Sequence, residues 1–541
     1  MTAPRSAHPQ SELSRRGVLT GAAAAGVAAS VPLQLIVPSE AAASTAAFRP
    51  RVRHYTRTAL PTAQSLHMAS RFSYGYTPEL RRAMRDAGGP EAWFLRQLNP
   101  SRIADHATHV FDRWFPSLHR KPRDHWARHE KQVGYPYQVA ADHGRWTLLR
   151  RMYSGRQVHE LMSEFWLNHL HVYSNADLTW MWRHGYDALI RTHALGRFDQ
   201  MLQAAIIHPT MLTYLDADIS MVVRSAGGVE ELINENLGRE LLELHTVGRG
   251  AGYTEAMVKD SAYILTGWTI DRMGTWGRSY QPDLHYTGAV NVLGFSSPNN
   301  QRDGRQVLRD YLRYLAHHPA TAQRIARKLA VRFVSDAPSQ RLVDHLANVF
   351  QSSGTDIKAT LRALVRDPEF KGSAGDKVRT PTDDMAATVR ALDATMLRPR
   401  ADKDAARAIF HLSSNIGQTP FGWGPPDGFP QTADAWSTPG RLMGSFQVHN
   451  SMAGHWYPST GIRYRPHASW LPQSRIRFDL LVDHLCRTLH GKGVTSNLLG
   501  AACVCLDVKP DTVVTRDSFI VRYRMPHLIG LLLDTPEFLT R

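Results

Sequence analysis

The sequence predicts a mainly α protein: a large multi-helix domain with two lobes, 61–370 and 385–541, and a small hairpin or long ordered loops. Three observations carry this reading. Apolar residues recur at three- and four-residue spacing along most of the chain. Helix-start signals, a Ser, Thr or Asp just ahead of Pro or of a periodic run, recur with them. Period-two alternation is confined to a short stretch near Val290 and Val292.

In chain order, residues 44–60 read as an extended lead-in. Ala63 to Phe72 is an apolar helix. Thr77-Pro78-Glu79 is an N-cap with Pro at the first helical position, opening a helix that ends near Gly88-Gly89, and Pro90 opens the next. Residues 99–138 are less regular. Val158, Leu161, Met162, Phe165 and Val172 form one stripe within a helical 140–172, and 186–207 is helical. Helices at 228–247 and 254–266 are separated by Gly248-Arg249-Gly250-Ala251-Gly252, read as a helix C-cap and turn. Residues 268–300, rich in Gly, Trp, Tyr and Asn, form a hairpin or long loop. Helices then open at Pro319, Ser339 and Asp356, followed by a linker at 371–384 and helices at 384–397 and 403–413. Residues 414–440 are an ordered loop rich in Pro, Gly and Trp, and the C-terminal third is helical. ALVRDPEF (363–370) and LLLDTPEF (531–538) echo each other.

The composition narrows the class. In 541 residues, 43% are hydrophobic and 13 are Trp, too apolar for a disordered chain. A mean hydropathy of −0.34 argues against a multi-span membrane protein. The net charge is +16, and only 10 of the 64 cations are Lys. No run of five cations and no nucleic-acid motif occurs, so the charge points to no nucleic acid. It points to internal ion pairs or to an anionic partner such as an acidic polysaccharide or cell-wall polymer.

The N-terminus reads as an address. Ser14-Arg15-Arg16-Gly17-Val18-Leu19 matches the twin-arginine export pattern. An Ala-rich apolar stretch runs from Gly21 to Val37, and Ala41-Ala42-Ala43 supplies a cleavage site. The expectation is a twin-arginine signal peptide over 1–43, an extracellular or cell-envelope location, and no transmembrane span after cleavage. Removing 1–43 leaves 61 cations and 46 anions, so the charge stays at +15. Cys486, Cys503 and Cys505 include no CxxC pair. Cys486 bridges Cys503 or Cys505, or all three are buried free thiols, with AACVCL a buried segment.

Several segments together resemble the bacterial exported family called domain of unknown function 1800 (DUF1800). They are Ala69–Pro78 (ASRFSYGYTP), Trp93–Leu98 (WFLRQL), Glu164–Leu170 (EFWLNHL), Asn234–Gly248 (NENLGRELLELHTVG) and Leu265–Thr269 (LTGWT). Lys328-Leu329, Phe333–Asp336 and Gly417–Phe421 complete the set. The likeness spans roughly 60–541. The family usually has His-Asp after Thr-Gly-Trp, whereas this chain has His285-Tyr286. The resemblance implies an exported, envelope-associated process and a partner that looks like an exported sulfatase or phosphatase. It implies no activity.

Two segments carry the candidate chemistry. Glu160, Glu164 and Asn168 share one helical face, His169 lies on the apolar stripe and His171 near the polar edge. In the second segment Glu235, Arg239 and Glu243 stand at four-residue spacing, as in an ion-pair ladder, with Glu240 and His245 beside them. Glu164, His169, Glu240, Glu243 and His245 are the candidate catalytic cluster, with Arg239 positioning an anion or a carboxylate; the alternative is a structural ladder. The same Glu and His residues are candidate ligands for a divalent metal, Zn, Mn or Fe, although neither Glu-x-x-His nor His-Glu-x-x-His occurs in them. Two carboxylates with separated pKa values serve acid–base chemistry. Trp180, Trp182, Trp268, Trp276, Trp423 and Trp436 serve either sugar stacking or packing. Two functions are compatible with these residues: an acid–base or metal-assisted enzyme on a glycan or anionic polymer, or a non-catalytic envelope binding or assembly protein.

Overall fold

The computed structural model describes residues 55–225, 228–400 and 404–541. The expected signal at 1–43 and the lead-in up to residue 54 lie outside them. Among the described residues, 24 α-helices are accompanied by five two-stranded antiparallel ribbons.

The caps set the helix starts. Thr62, Thr77, Thr254, Ser339, Asp356 and Thr380 each accept the backbone N–H three residues on. Each such bond satisfies one orphan donor and contributes about 1 kcal/mol. The expected helices at Ala63, Pro78, Pro90, Pro319, Ser339 and Asp356 therefore begin as the sequence indicates. The expected linker at 371–384 is shorter: Pro368–Gly372 and Pro381–Ala391 are both helical.

One expected helix is replaced. Residues 228–247 divide into a strand, a short helix and a π-turn. Met221–Ser225 pairs with Gly228–Leu232, with Met221 opposite Leu232 and Ser225 opposite Gly228. The side chains of Gly228–Leu232 are all exposed, so no apolar face held this stretch in a helix. Asn234 Oδ1 accepts the Asn236 N–H, and Asn236–Glu240 is helical. Leu241–His245 then widens to a π-turn. An added residue per turn rotates the downstream side chains by about 100° relative to an α-helix. Glu243 thereby leaves the Arg239 face. The ladder observed is Glu235–Arg239–Glu255, while Glu243 pairs with Arg249. The hairpin region resolves into two ribbons, Trp268–Ile270 with Arg278–Tyr280 and Val290–Val292 with Phe295–Ser297.

Two apolar clusters form the interior. The first gathers Phe72, Phe94, Trp166, Phe198, Leu241, Phe333, Phe350 and Phe370. The second gathers Trp146, Leu149, Met385, Val389, Phe478, Leu481, Met525 and Phe538. The two halves of the PEF echo thus bury Phe370 in one cluster and Phe538 in the other.

A polar seam separates the clusters. The helix Pro319–Phe333 gives Ile325, Leu329 and Phe333 to the first and carries Arg324, Lys328 and Arg332 at four-residue spacing on another face. The helix Pro381–Ala391 gives Met385 and Val389 to the second and presents Asp383 and Asp384. Arg332 Nη1 stands 3.1 Å from Asp383 Oδ2.

The loop 417–433 straps this seam. Its Gln418 Oε1 accepts from Thr382 Oγ1 at 2.8 Å, and its Trp423 carbonyl accepts from His171 Nε2 at 2.8 Å. Asn168 holds both the Phe429 N–H (2.8 Å) and carbonyl (2.9 Å). Lys377 Nζ donates to the Gln431 carbonyl, and the Ala433 N–H donates to Asp336. Gly428 is required here. Its φ is +77°, and a Cβ would fall 2.2 Å from the Asn168 carbonyl.

The three cysteines are free. AACVCL lies in the helix Ser496–Leu506, whose buried residues are Leu499, Ala502 and Leu506. Val504 is 84% exposed and Cys505 exposed, against the expectation of a buried segment. Helical period puts them on the face away from the core.

Candidate functional site

The helix Gln157–His169 delivers the first set of side chains. Glu160 is buried between Arg150 (2.9 Å) and Arg191 (2.6 Å). Burial alone would raise its pKa; the two guanidinium groups overcome that and hold it down to about 2. It is a permanent anion in an ion-pair chain that continues to Asp187.

One turn on, Glu164 accepts the Tyr74 hydroxyl at 2.8 Å and stands 3.2 Å from Arg151 and 3.4 Å from Arg332. Arg151, Glu164, Asn168, His171, Thr382 and Gln418 are among the residues around a cavity of about 20 Å³ beneath the strap. That volume holds one water. His171, expected at the polar edge, is buried against the strap instead.

His169 and His245 converge. Each ring bonds the other residue's backbone: His169 Nε2 to the His245 carbonyl at 3.0 Å, and His245 Nδ1 to the His169 carbonyl at 3.3 Å. A carbonyl only accepts, so His169 carries its proton on Nε2 and His245 on Nδ1. The remaining nitrogens are then lone-pair acceptors. His169 Nδ1 faces Lys328 Nζ at 3.1 Å. His245 Nε2 is buried with no hydrogen-bond partner among the described residues. Burial, followed by the Lys328 charge, keeps both imidazoles neutral; the pKa of His245 falls to about 3.

Lys328 is the residue that sequence reasoning missed as a site residue. Burial, then the Arg324 charge, push its amine down to about 7, with Asp427 opposing. A signal was present. In a chain with 54 Arg and 10 Lys, the seam position between Arg324 and Arg332 is a Lys. An arginine there could not release a proton; a lysine can.

Glu240 is partly buried at the end of the helix Asn236–Glu240. Burial and the neighbouring Glu243 raise its pKa, with Asp427 adding to the effect. Asp427 is felt by both Glu240 and Lys328, and Glu240 and Tyr173 both act on Tyr214. The strap thereby carries an acidic residue within electrostatic reach of both Glu240 and Lys328, and Trp423 Nε1 donates to that Asp427 at 2.7 Å.

The structure therefore brings His169 and His245 together on Lys328, with Glu240 and Glu243 nearby. It places Glu164 in the adjoining Arg151–Arg332 cluster, one turn along both helices. Arg239 is occupied by Glu235 and Glu255 at the surface. Among the described residues no group of three or more His, Cys, Asp and Glu side chains is arranged to hold a metal ion. Trp180, Trp182, Trp276 and Trp436 are buried, and Trp268 and Trp423 keep partial exposure. His285 is buried, its ring set between the Thr266 carbonyl and Asn299 Oδ1, each at 3.0 Å. Tyr286, where relatives were expected to carry Asp, stacks on Tyr263 at 3.8 Å.

A helical protein with a strapped polar seam and a hydrogen-bonded lysine–histidine cluster is the class these features define. The family model described as protein of unknown function (DUF1800) matches residues 67–540, and the chain belongs to that family. No curated protein and no solved structure matches it.

Proposed function

We propose that this chain is exported by the twin-arginine route and works in the cell envelope or outside the cell as an acid–base enzyme on a glycan or another anionic polymer. The observation that carries the reading is the Lys328 amine, near neutrality in a recess and hydrogen-bonded to His169 Nδ1.

The proton positions set the roles. Neutral Lys328 takes a proton from a substrate hydroxyl or an attacking water. The ammonium that forms donates to His169 Nδ1, whose tautomer is fixed by the His245 carbonyl. Glu240, its pKa raised by burial and by Glu243, is the proton donor. His245 Nε2 offers a buried acceptor for a substrate hydroxyl. Trp423 on the strap and Tyr214, which donates to the strap's Gly424 carbonyl at 2.6 Å, are ring surfaces that suit a sugar. The export pattern at Ser14–Leu19 supports the location.

The test incubates the purified chain with isolated envelope polysaccharides and measures new reducing ends and chain length. Wild type is expected to release ends at a rate governed by a group near pH 7. Lys328→Met and Glu240→Gln are each expected to lose on the order of 10²-fold or more. Release by Lys328→Met within a factor of about two of wild type would refute the assignment, as would no release by wild type.

A further inference from the structure

The seam holds more arginine than its carboxylates engage. Arg332 and Arg541 pair with Asp383, and Arg441 with Asp384. Arg379, only 4% exposed, has no carboxylate within ion-pair distance among the described residues, although Asp383 and Asp384 act on it from further off. Its Nε donates to the Phe538 carbonyl at 2.6 Å, and its Nη1 is buried with no hydrogen-bond partner among the described residues. A buried guanidinium N–H left unpaired is costly, and a ligand that accepts from it recovers that cost.

Arg379 borders a cavity of about 180 Å³ whose lining includes the exposed Lys492 and Glu537, with His67, His490 and Arg541 also on its wall. Glu537 is the single carboxylate side chain among its described lining residues, and it is exposed. Gly75, at φ +107°, forms the wall beside the guanidinium. A Cβ there would sit 3.9 Å from Arg379 Nη1 and 3.1 Å from Ala387 Cβ, so a side chain would close the space. The cavity exceeds a single water's share but falls below that of drug-sized sites, so the occupant is small.

His67 adds a second demand. Its Nε2 bonds the Phe370 carbonyl at 2.6 Å, which leaves Nδ1 as a lone-pair acceptor, buried and unpartnered. Burial and the Arg71 charge keep this ring neutral at pH 7. The site thus lacks an anion for Arg379 and a hydroxyl donor for His67. Arginine with a hydrogen-bonding oxyanion is among the stronger charge-assisted pairs.

We propose that this cavity binds phosphate as the monohydrogen ion or as a hydroxyl-bearing phosphomonoester. Its oxygens take the Arg379 guanidinium, its hydroxyl hydrogen goes to His67 Nδ1, and Lys492 draws it in at the mouth. This site shares no residue with the Lys328 recess.

The test measures thermal stability and calorimetric binding of the full chain with inorganic phosphate, sulfate and glycerol 3-phosphate at matched ionic strength. A ligand that binds the folded state raises its stability with concentration. Phosphate is expected to bind at least tenfold tighter than sulfate, which carries no hydroxyl hydrogen at neutral pH. Arg379→Gln is expected to weaken phosphate at least tenfold. Lys492→Glu, at an exposed position that folding does not need, is expected to weaken it several-fold and gives the answer even if Arg379→Gln does not fold. Tighter binding of glycerol 3-phosphate than of phosphate supports a phosphomonoester as the natural occupant; weaker binding supports free phosphate. Equal effects of phosphate and sulfate, or wild-type phosphate affinity in Lys492→Glu, would overturn the proposal.

Discussion

Replacing Lys328 with Met should make the protein more stable at low pH. The folded-state pKa of Lys328 is about 7, against 10.5 for the free side chain. Below pH 7 the amine is protonated in both states, and the folded state bears the full cost of holding a charge in the recess. Between pH 7 and 10.5 the unfolded chain binds the extra proton, so wild-type stability rises with pH across this window. Above 10.5 the contribution vanishes. At 1.36 kcal/mol per tenfold in proton affinity the full cost is about 5 kcal/mol. Lys328 keeps some contact with solvent, and screening there reduces the figure to ~3 kcal/mol. Met fills a similar volume but leaves His169 Nδ1 without its donor, a loss of about 1 kcal/mol. The expected net gain at pH 6 is therefore roughly 2 kcal/mol, shrinking towards pH 10. Urea unfolding of wild type and Lys328→Met at pH 6, 8 and 10 measures it, and the difference between the two curves cancels the titrating groups that Lys328 does not touch. A variant equally or less stable at pH 6, with a difference that does not vary with pH, refutes the argument that burial has neutralised this amine. A site residue whose removal stabilises the fold is the trade-off expected of a functional group held under strain.

The same seam gives other expected outcomes. Asp383→Asn leaves Arg332 and Arg541 without their shared anion and should cost about 3–5 kcal/mol in urea unfolding. His449 is raised to about 9 because Asp384 and Asp534 outweigh its burial. Its stabilisation is full below pH 6.5 and lost as pH rises through 9, so wild type should exceed His449→Gln by about 3 kcal/mol at pH 6 and converge with it near pH 10. Cys505 is exposed, whereas burial and then Asp483 push the Cys486 thiol up to about 12. A thiol-reactive probe at pH 8 should therefore modify Cys505 in the native protein and Cys486 only after denaturation.

Local signals determined the helix starts. Caps at Thr77, Ser339 and Asp356, and Pro at the first helical position, act within one turn, so the sequence alone places those helices. The replacement of the 228–247 helix was not legible. The stretch 228–247 contains NENLGRELLELH, which carries good helical spacing, but a hairpin claims 228–232 ahead of it and a π-turn rotates its end. Strand pairing with Met221–Ser225 is a contact between segments, which periodicity within one segment does not encode.

The same division holds at the site. Helical spacing on two segments was enough to select His169 and His245 as candidates, and the structure joins them through each other's carbonyls. The separation of Glu164 from that pair was decided by Arg151 and Arg332, which lie on other helices. The sequence by itself determined the helical class, the family and the residue types available for chemistry. Only the tertiary structure decided that the Lys328 amine is pushed down to about 7. Burial is a property of the packed surroundings, and those of Lys328 include 169, 245 and 427, far apart along the chain and adjacent only once it has folded.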